Sequence, residues 1–382
     1  MKIVYCLDSI RYLGGIQRVT IAKANALAEM EGYEVCVAVT DNRRGVRVDT
    51  LSDKVHLIDL DVNYYADDWQ SVWKSLRAFV CKRRLHRKRL AVALRRLRPD
   101  IVVSVGQSEK YFLPKISRHS HTVREFHYAK TYRLPLAHTL FGKISAVLGN
   151  VRDNCLSLRR YDAIAVLTHE DYERNWRGWK NVAVIPNPLT HRSPVTATLD
   201  AKKVVAVGRL EYAKNFSSLI RVFRLVVNRH PDWTLDIYGE GGQRAALQAQ
   251  IVALHLEHHV TLKGFTGHVQ QVMLEGSILA LTSIYEGFAM VLTEAMDCGL
   301  PVVSYATPCG PKDIITDGTN GYLVPMNDET LMAERICSLI ENPARRKAMG
   351  RAAKARAEEY GMERVMAMWK NLFEKLIKQQ RR

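Results

Sequence analysis

The chain lacks any pair of cysteines spaced as CxxC, although it carries seven: Cys6, Cys36, Cys81, Cys155, Cys298, Cys309 and Cys337. A scattered, odd-numbered set excludes a zinc pattern and fits free thiols in a reducing cytoplasm. No apolar run approaches the roughly 20 residues of a membrane-spanning helix. The opening MKIVYCLDS has too short an apolar part for a secretory leader, and Asp8 interrupts it, so it reads as a first buried strand. No G-x-G-x-x-G follows, which removes the dinucleotide fingerprint. Helix-turn-helix, zinc and RNA-binding signatures are missing as well, and the most basic stretch has few aromatics for stacking, so nucleic acid is not the expected partner.

Acids are also missing from one place. Residues 72–98, VWKSLRAFVCKRRLHRKRLAVALRRLR, hold 11 basic residues and no acidic one. The formal net charge is +17, and it is unevenly spread. Residues 1–190 carry 32 Lys and Arg against 19 Asp and Glu, and the remainder 24 against 20. A basic, partly amphipathic helix can lie on an anionic bilayer, each exposed Lys or Arg adding about 1 kcal/mol. The plain alternative is a solvated helix face.

What is present describes an α/β protein. The 382 residues are 47% hydrophobic, enough for two domains with cores of their own. KIVYCLD, EVCVAVT, HLIDL, DIVVSVG, HTVREFH and DAIAVLT are strand-like, and helical periods separate them. VAVIPNPLT, with Pro186 and Pro188, reads as a linker. The pattern then restarts with KVVAVGRL, WTLDIYGEG, HVTLKGF, ILALTS and PVVSYA as strands; after Gly321 it turns helical. Strands joined through helices imply parallel sheets with crossover connections. The expectation is two Rossmann-like, doubly wound domains facing a central cleft, over 1–186 and 190–361, with a terminal amphipathic helix, 363–380, packing back on the first.

Five constellations can carry chemistry. In YEGFAMVLTEAMDCG, Glu286 and Glu294 flank an apolar loop running into a helix. Backbone N–H groups of Ala289, Met290 and Val291 at a helix start favour a phosphate oxygen. In VAVGRLEYAKN, Arg209 and Lys214 follow a strand end, where a guanidinium fork and a point charge can clamp a diphosphate. Gly14 and Gly15 after the first strand let the backbone approach a ligand, or simply make a turn. His127 in TVREFHYAK stands just beyond a strand end, with Glu125 as its competitor for the reaction centre. Finally Lys263–Gly264–Phe265, with Glu240 and Gly241–Gly242, closes two neighbouring strands.

The run SIYEGFAMVLTEAMDCGLPVVSYATPCGPKDIITDGTNGYLVP resembles the donor-site signature of glycosyltransferase family 4, and the two glutamates match its E-x7-E spacing. The resemblance covers nearly the whole chain and is most specific over 204–325. It implies the GT-B fold and retaining transfer of a sugar from a nucleotide-diphosphate donor, in bacterial polysaccharide or lipopolysaccharide assembly. It further implies that Glu286 contacts donor-sugar hydroxyls and Glu294 the nucleotide ribose. Phe288, Ala289, Met290 and Val291 would present backbone N–H groups to sugar and diphosphate, and Arg209 and Lys214 would neutralise the leaving nucleoside diphosphate without a metal. Gly14 and Gly15 would meet donor phosphate or acceptor, Gly264 and Phe265 the nucleobase, Glu240 the same cleft, and His127 the reacting sugar or acceptor.

The expected function is hexose transfer from a UDP-sugar to a membrane-associated glycan or lipid-linked acceptor, by a metal-independent and cofactor-free enzyme. Its expected place is the cytoplasm, peripheral on the inner face of the membrane through 72–98. A GDP-mannose donor, an epimerase or phosphorylase of the same fold, and a non-catalytic basic binding protein are the alternatives. The donor identity, the acceptor and the oligomeric state stay open, and loops 62–70 and 106–115 match no readable code for the acceptor.

Overall fold

The computed structural model describes residues 1–10, 14–42, 50–64, 72–130 and 139–379, with side chains withheld at 72–76, 140–141 and 154–156. Residues 65–70, part of one expected acceptor loop, therefore lie outside the described residues. The chain divides into two compact units. The first comprises Met1–Leu167, Asn175–Thr190 and Met362–Arg382, and the second Thr168–Arg174 and His191–Gly361.

Among the described residues, seven parallel strands build the first unit: β1 Lys2–Ser9, β2 Glu34–Asp41, β3 Val55–Asp59, β4 Ile101–Ser104, β5 His121–Glu125, β6 Ala163–Val166 and β7 Val182–Val184. Their order is β3-β2-β1-β4-β5-β6-β7. The helices are α1 Gly15–Ala28, α2 Val72–Leu97, α3 Leu113–Ile116, α4 Leu140–Leu156 and the terminal α13 Met362–Lys378. Ile3, Val4 and Tyr5 on β1 and Val35, Cys36 and Val37 on β2 are all buried. A parallel strand covered on both faces needs such an unbroken apolar run rather than alternation.

The second unit repeats the scheme with β8 Lys203–Val207, β9 Thr234–Tyr238, β10 Val260–Gly264, β11 Ile278–Leu281, β12 Val302–Tyr305 and β13 Gly321–Val324. The order is β10-β9-β8-β11-β12-β13, again parallel throughout. Its helices are α5 His169–Asp171, α6 Phe216–Val227, α7 Arg244–Ala253, α8 Val269–Leu274, α9 Met290–Asp297, α10 Pro311–Ile314, α11 Glu329–Glu341 and α12 Pro343–Ala357.

Three expectations need correction. The segment read as a linker contains β7, which adds to the sheet edge through the pairing of Ile164 with Val182; the prolines stop it after three residues instead of preventing it. The stretch after Gly321 contains β13, an edge strand too short to show periodicity. Residues 168–174 sit with the second unit, because Asp313 accepts hydrogen bonds from the His169 and Glu170 amides (2.5 and 3.2 Å) while Glu170 accepts from the Cys309 amide at 2.8 Å.

The terminal helix α13 packs into the first unit. Val365, Met366, Trp369, Phe373 and Leu376 recur at helical spacing and join that unit's core. The Lys23 ammonium of α1 lies 4.4 Å from the centre of the Trp369 ring. Replacing fully buried Phe373 by Ala should cost about 3–5 kcal/mol, whereas half-exposed Met368→Ala should cost less than about 0.5. Chemical denaturation of the two variants checks this; equal effects would mean that α13 is not core.

Candidate active site

In an open parallel sheet, a ligand crevice forms outside the strand carboxyl ends, where the strand order reverses and neighbouring crossovers leave in opposite directions. In the second unit that point lies between β8 and β11, paired through Val204 with Ile278 and Val205 with Leu279. Arg209 and Lys214 follow β8, and Glu286 follows β11, so the switch point collects them from segments 72 residues apart.

Lys214 ends a short turn, Tyr212–Lys214, and Asn215 then takes the left-handed conformation (φ 51°) before α6. Two bonds stitch this turn to the neighbouring strand exit. The Ile284 amide donates to the Ala213 carbonyl (2.8 Å), and the Thr282 hydroxyl to the Asn215 carbonyl (3.1 Å). With the loops so fixed, Lys214 Nζ donates to Glu286 Oε1 at 2.6 Å. Glu286 is buried and Lys214 only partly exposed. The sequence assigned these two side chains to different parts of a ligand; the structure joins them in one ion pair. Arg209 is exposed, and among the described residues no hydrogen bond or ion pair engages its guanidinium.

β11 ends at Leu281, so Ser283 to Tyr285 belong to the loop and not to the strand. Ala289 holds the left-handed conformation (φ 62°) and starts α9 with no side-chain cap. The first N–H groups of α9 thus have no intrahelical acceptor and no capping side chain. Placing a non-glycine residue there costs roughly 1–2 kcal/mol, which the surroundings must over-determine. They do so through the next loop. The Thr307 hydroxyl donates to the Ser283 carbonyl. A Cβ on Gly310 (φ 130°) would stand 2.7 Å from the Phe288 carbonyl oxygen, so only glycine permits this approach. The Phe288 ring packs edge-on against Tyr360 at 5.5 Å, which turns its side chain inward. Glu294 lies on α9 one turn from its start, half-buried. Burial, with Asp171 and Glu170 nearby, pushes the Cys309 thiol up to about 12, so it is no nucleophile at neutral pH.

The remaining expected donor residues lie on the adjacent strand exits. Gly239 and Gly241 pack backbone to backbone against the exit of β8, where a Cβ would stand 1.9 Å from the Gly208 carbonyl oxygen and 2.5 Å from that of Leu210. Glu240 is exposed and pairs with Arg244 at 3.0 Å. Gly264 takes a left-handed φ of 82° at the end of β10, and Phe265 after it is 81% exposed. An aromatic ring left in water at a strand exit can stack on a flat ligand group.

In the first unit, Gly14 and Gly15 are exposed and open α1 beyond β1, next to that sheet's own reversal between β1 and β4. Gly14 has φ −72°, so it is a turn residue that any side chain could adopt, not a forced glycine. The structure separates the two competitors beyond β5. Glu125 is buried and accepts a hydrogen bond from the equally buried Lys23. Burial works against the charged carboxylate, but the Lys23 ammonium and the His127 ring overcome it and hold Glu125 at about 2. Its Oε1 lies 3.2 Å from His127 Nε2. His127, also buried, lines a pocket with Lys110, Arg124, Phe126, Lys130 and Asp153. Lys110 reaches Asp153 Oδ2 at 2.9 Å, while Arg124 donates to the Ser104 hydroxyl at 2.7 Å. The sequence reading missed Arg124 and Lys110. A charged residue at an inward position of TVRE was the available signal for Arg124; for Lys110 there was none.

Residues 190–356 match the family model described as glycosyl transferases group 1. That segment of the chain, the greater part of the second unit, is similar to the group 1 glycosyl transferases. The chain is 28% identical over 377 residues to an uncharacterized glycosyltransferase of Haemophilus influenzae, covering 97% of this chain and 99% of that one. It is 28% identical over 286 residues to the amylovoran biosynthesis glycosyltransferase AmsD of Erwinia amylovora, covering 72% of this chain and 78% of the other. Among solved structures, a mutant of TarM from S. aureus, bound to fondaparinux, alpha-GlcNAc-glycerol and UDP, superposes with a TM-score of 0.77 at 17% identity, over 97% of this chain and 99% of that one. The fold is therefore GT-B.

Two predictions follow from the site's electrostatics. A double-mutant cycle of Lys214→Met and Glu286→Gln, read by chemical denaturation, should give a coupling energy of about 1 kcal/mol; additive effects would mean the pair does not form in solution. Burial first, and then the Asp8 charge, raise the Glu109 carboxyl to about 7. The folded state then holds this proton more tightly than the unfolded chain, so the contribution is complete below pH 4.5 and is lost as pH rises through 7. Glu109→Gln should flatten a fall in unfolding free energy of about 3 kcal/mol between pH 5 and 8. An unchanged pH profile would refute it.

Proposed function

We propose that this GT-B glycosyltransferase of bacterial surface-glycan assembly is a retaining, family 4-type enzyme. It moves a hexose from a UDP-sugar to a membrane-associated glycan or lipid-linked acceptor at the cytoplasmic face. The observation that carries the reading is the Lys214–Glu286 pair at one switch point, with Arg209 at the same β8 exit and the uncapped start of α9 following β11. Phosphate oxygens suit exposed cations and free N–H groups; sugar hydroxyls suit a carboxylate held by a lysine.

In this reading the donor diphosphate lies across Arg209, Lys214 and the N–H groups of Phe288 to Val291. Glu286 accepts from hydroxyls of the sugar and Glu294 from the ribose, while Phe265 and Gly264 border the base. Gly14 and Gly15 approach the phosphate or the acceptor, and Glu240 borders the donor. His127 contacts the acceptor hydroxyl or the reacting sugar, with Glu125 and Lys23 behind it.

Transfer breaks the bond between the anomeric carbon and the β-phosphate oxygen and forms one from the acceptor oxygen on the same face. The acceptor proton passes to the departing diphosphate. Both cations and the helix start stabilise the negative charge that grows on that leaving group, the role a metal ion plays elsewhere. UDP is favoured because the UDP-bound TarM structure shares the whole fold.

Arg209→Ala and Lys214→Ala should each lower kcat at least ten-fold, or about 1.4 kcal/mol, with a smaller change in donor KM. Wild-type turnover in both variants would refute the assignment of the cations. A thermal-shift panel of nucleotide sugars should raise Tm with UDP-hexoses; a shift with GDP-mannose alone would replace the donor.

A further inference from the structure

Among the described residues, exposed large apolar side chains gather on two helices of the first unit: Phe79, Val80, Leu85 and Val92 on α2, and four more on α4, where they form one narrow stripe. Ile144, Val147, Leu148 and Val151 of α4 are 51%, 48%, 63% and 53% exposed. Their spacing of three and four residues places them on one stripe about 100° wide. Lys143 and Arg152 are exposed and fall on opposite borders of that stripe. Ala146, buried, and Asn150 and Asp153, which line the pocket beside His127, fall on the opposite face of α4. One side of the helix thus closes the pocket while the other presents hydrocarbon to the outside.

The basic helix α2 shares this surface. Tyr111 ties the two helices together, with the Arg83 guanidinium of α2 at 5.1 Å from its ring centre and that of Arg152 of α4 at 5.0 Å. Arg152 also donates to the Tyr111 hydroxyl at 2.7 Å. Beyond Arg83, α2 exposes Arg84, Arg87, Lys88, Arg95 and Arg96, for which no acidic partner is found among the described residues. Apolar stripe and unpaired cations together ask for a partner that is hydrocarbon within and anionic at its surface.

We propose that α4 is an in-plane membrane anchor. Its Ile144–Val151 stripe enters the acyl boundary of an anionic bilayer, Lys143 and Arg152 reach back to the headgroups, and α2 supplies the electrostatic attraction. A second copy of the chain is the competing occupant, but a two-fold contact through this face would bring the same α2 cations against themselves. A bilayer carries the opposite charge, and its interior accepts an amphipathic helix of this type. The inference rests on the reading that the acceptor is membrane-associated, and it names the face from which such an acceptor would reach the His127 pocket.

The test is co-sedimentation of the full chain with vesicles of phosphatidylethanolamine and phosphatidylglycerol, and with phosphatidylcholine vesicles alone. The wild type should bind the anionic vesicles, and Val147→Gln with Leu148→Gln should weaken that binding at least ten-fold. Arg84→Gln with Lys88→Gln should weaken it several-fold and reduce its salt dependence. No binding by the wild type, or full binding by the α4 variant, overturns the proposal. So does a concentration-dependent dimer in sedimentation velocity that the α4 variant abolishes, with no vesicle binding. UDP-hexose binding by calorimetry, measured on the same samples, separates the two readings. Its absence in the wild type would remove the UDP-hexose donor assignment, while the vesicle result would still decide the role of α4.

Discussion

β8 and β11 run side by side and in the same direction, although 70 residues of chain separate the end of one from the start of the other, and the candidate site depends on that adjacency. Parallel pairing sends both strand exits to the same edge of the sheet. The reversal of strand order then steers the following helices, α6 and α9, away from each other. The gap between them is where Lys214 meets Glu286 and where α9 begins without a cap. Bonds from Ile284 to Ala213 and from Thr282 to Asn215 keep the two exits in register. The strained backbone at Ala289 is braced by Thr307 and by the close approach of Gly310. Much of the supporting shell is therefore backbone, and glycine is what lets backbone approach backbone so closely.

The first unit uses the same topology to different effect. Its strand exits hold charges in pairs: Lys23 on Glu125, Lys110 on Asp153, Arg124 beside Glu109 at 3.8 Å. Buried ions kept in this way contribute little net stability compared with an apolar core, and removing one partner costs several kcal/mol. Their presence around His127 points to positioning instead. The α13 helix, returning after the whole second unit, lays Trp369 over Lys23 and shields that pair from water. The chain end thus helps define the environment of a pocket near its beginning.

Much of this was legible before any coordinates. Unbroken apolar runs separated by helical periods can be satisfied only by parallel sheets with crossovers, so eleven of the thirteen strands among the described residues could be placed by pattern. The two that escaped, Val182–Val184 and Gly321–Val324, are three- and four-residue edge strands, shorter than the pattern they would have to display. Arg209, Lys214 and Glu286 stood out as charged residues just beyond strand ends beside glycine turns, and Glu294 through its seven-residue separation from Glu286, which resembles the family 4 spacing. The inward turn of Phe288, the ordinary φ of Gly14 and the retreat of Glu125 to Lys23 left no trace in the sequence, since each depends on what a distant segment places opposite.

Sequence alone determined the α/β class, the repeated architecture, the residues that close each strand and the lopsided charge, because periodicity and composition are local properties of the chain. Tertiary structure decided which of those residues meet. It paired Lys214 with Glu286, chose His127 over Glu125 for the pocket, and turned the apolar side of α4 outward beside a basic α2. Such choices come from packing between segments remote in sequence, and no local pattern carries them.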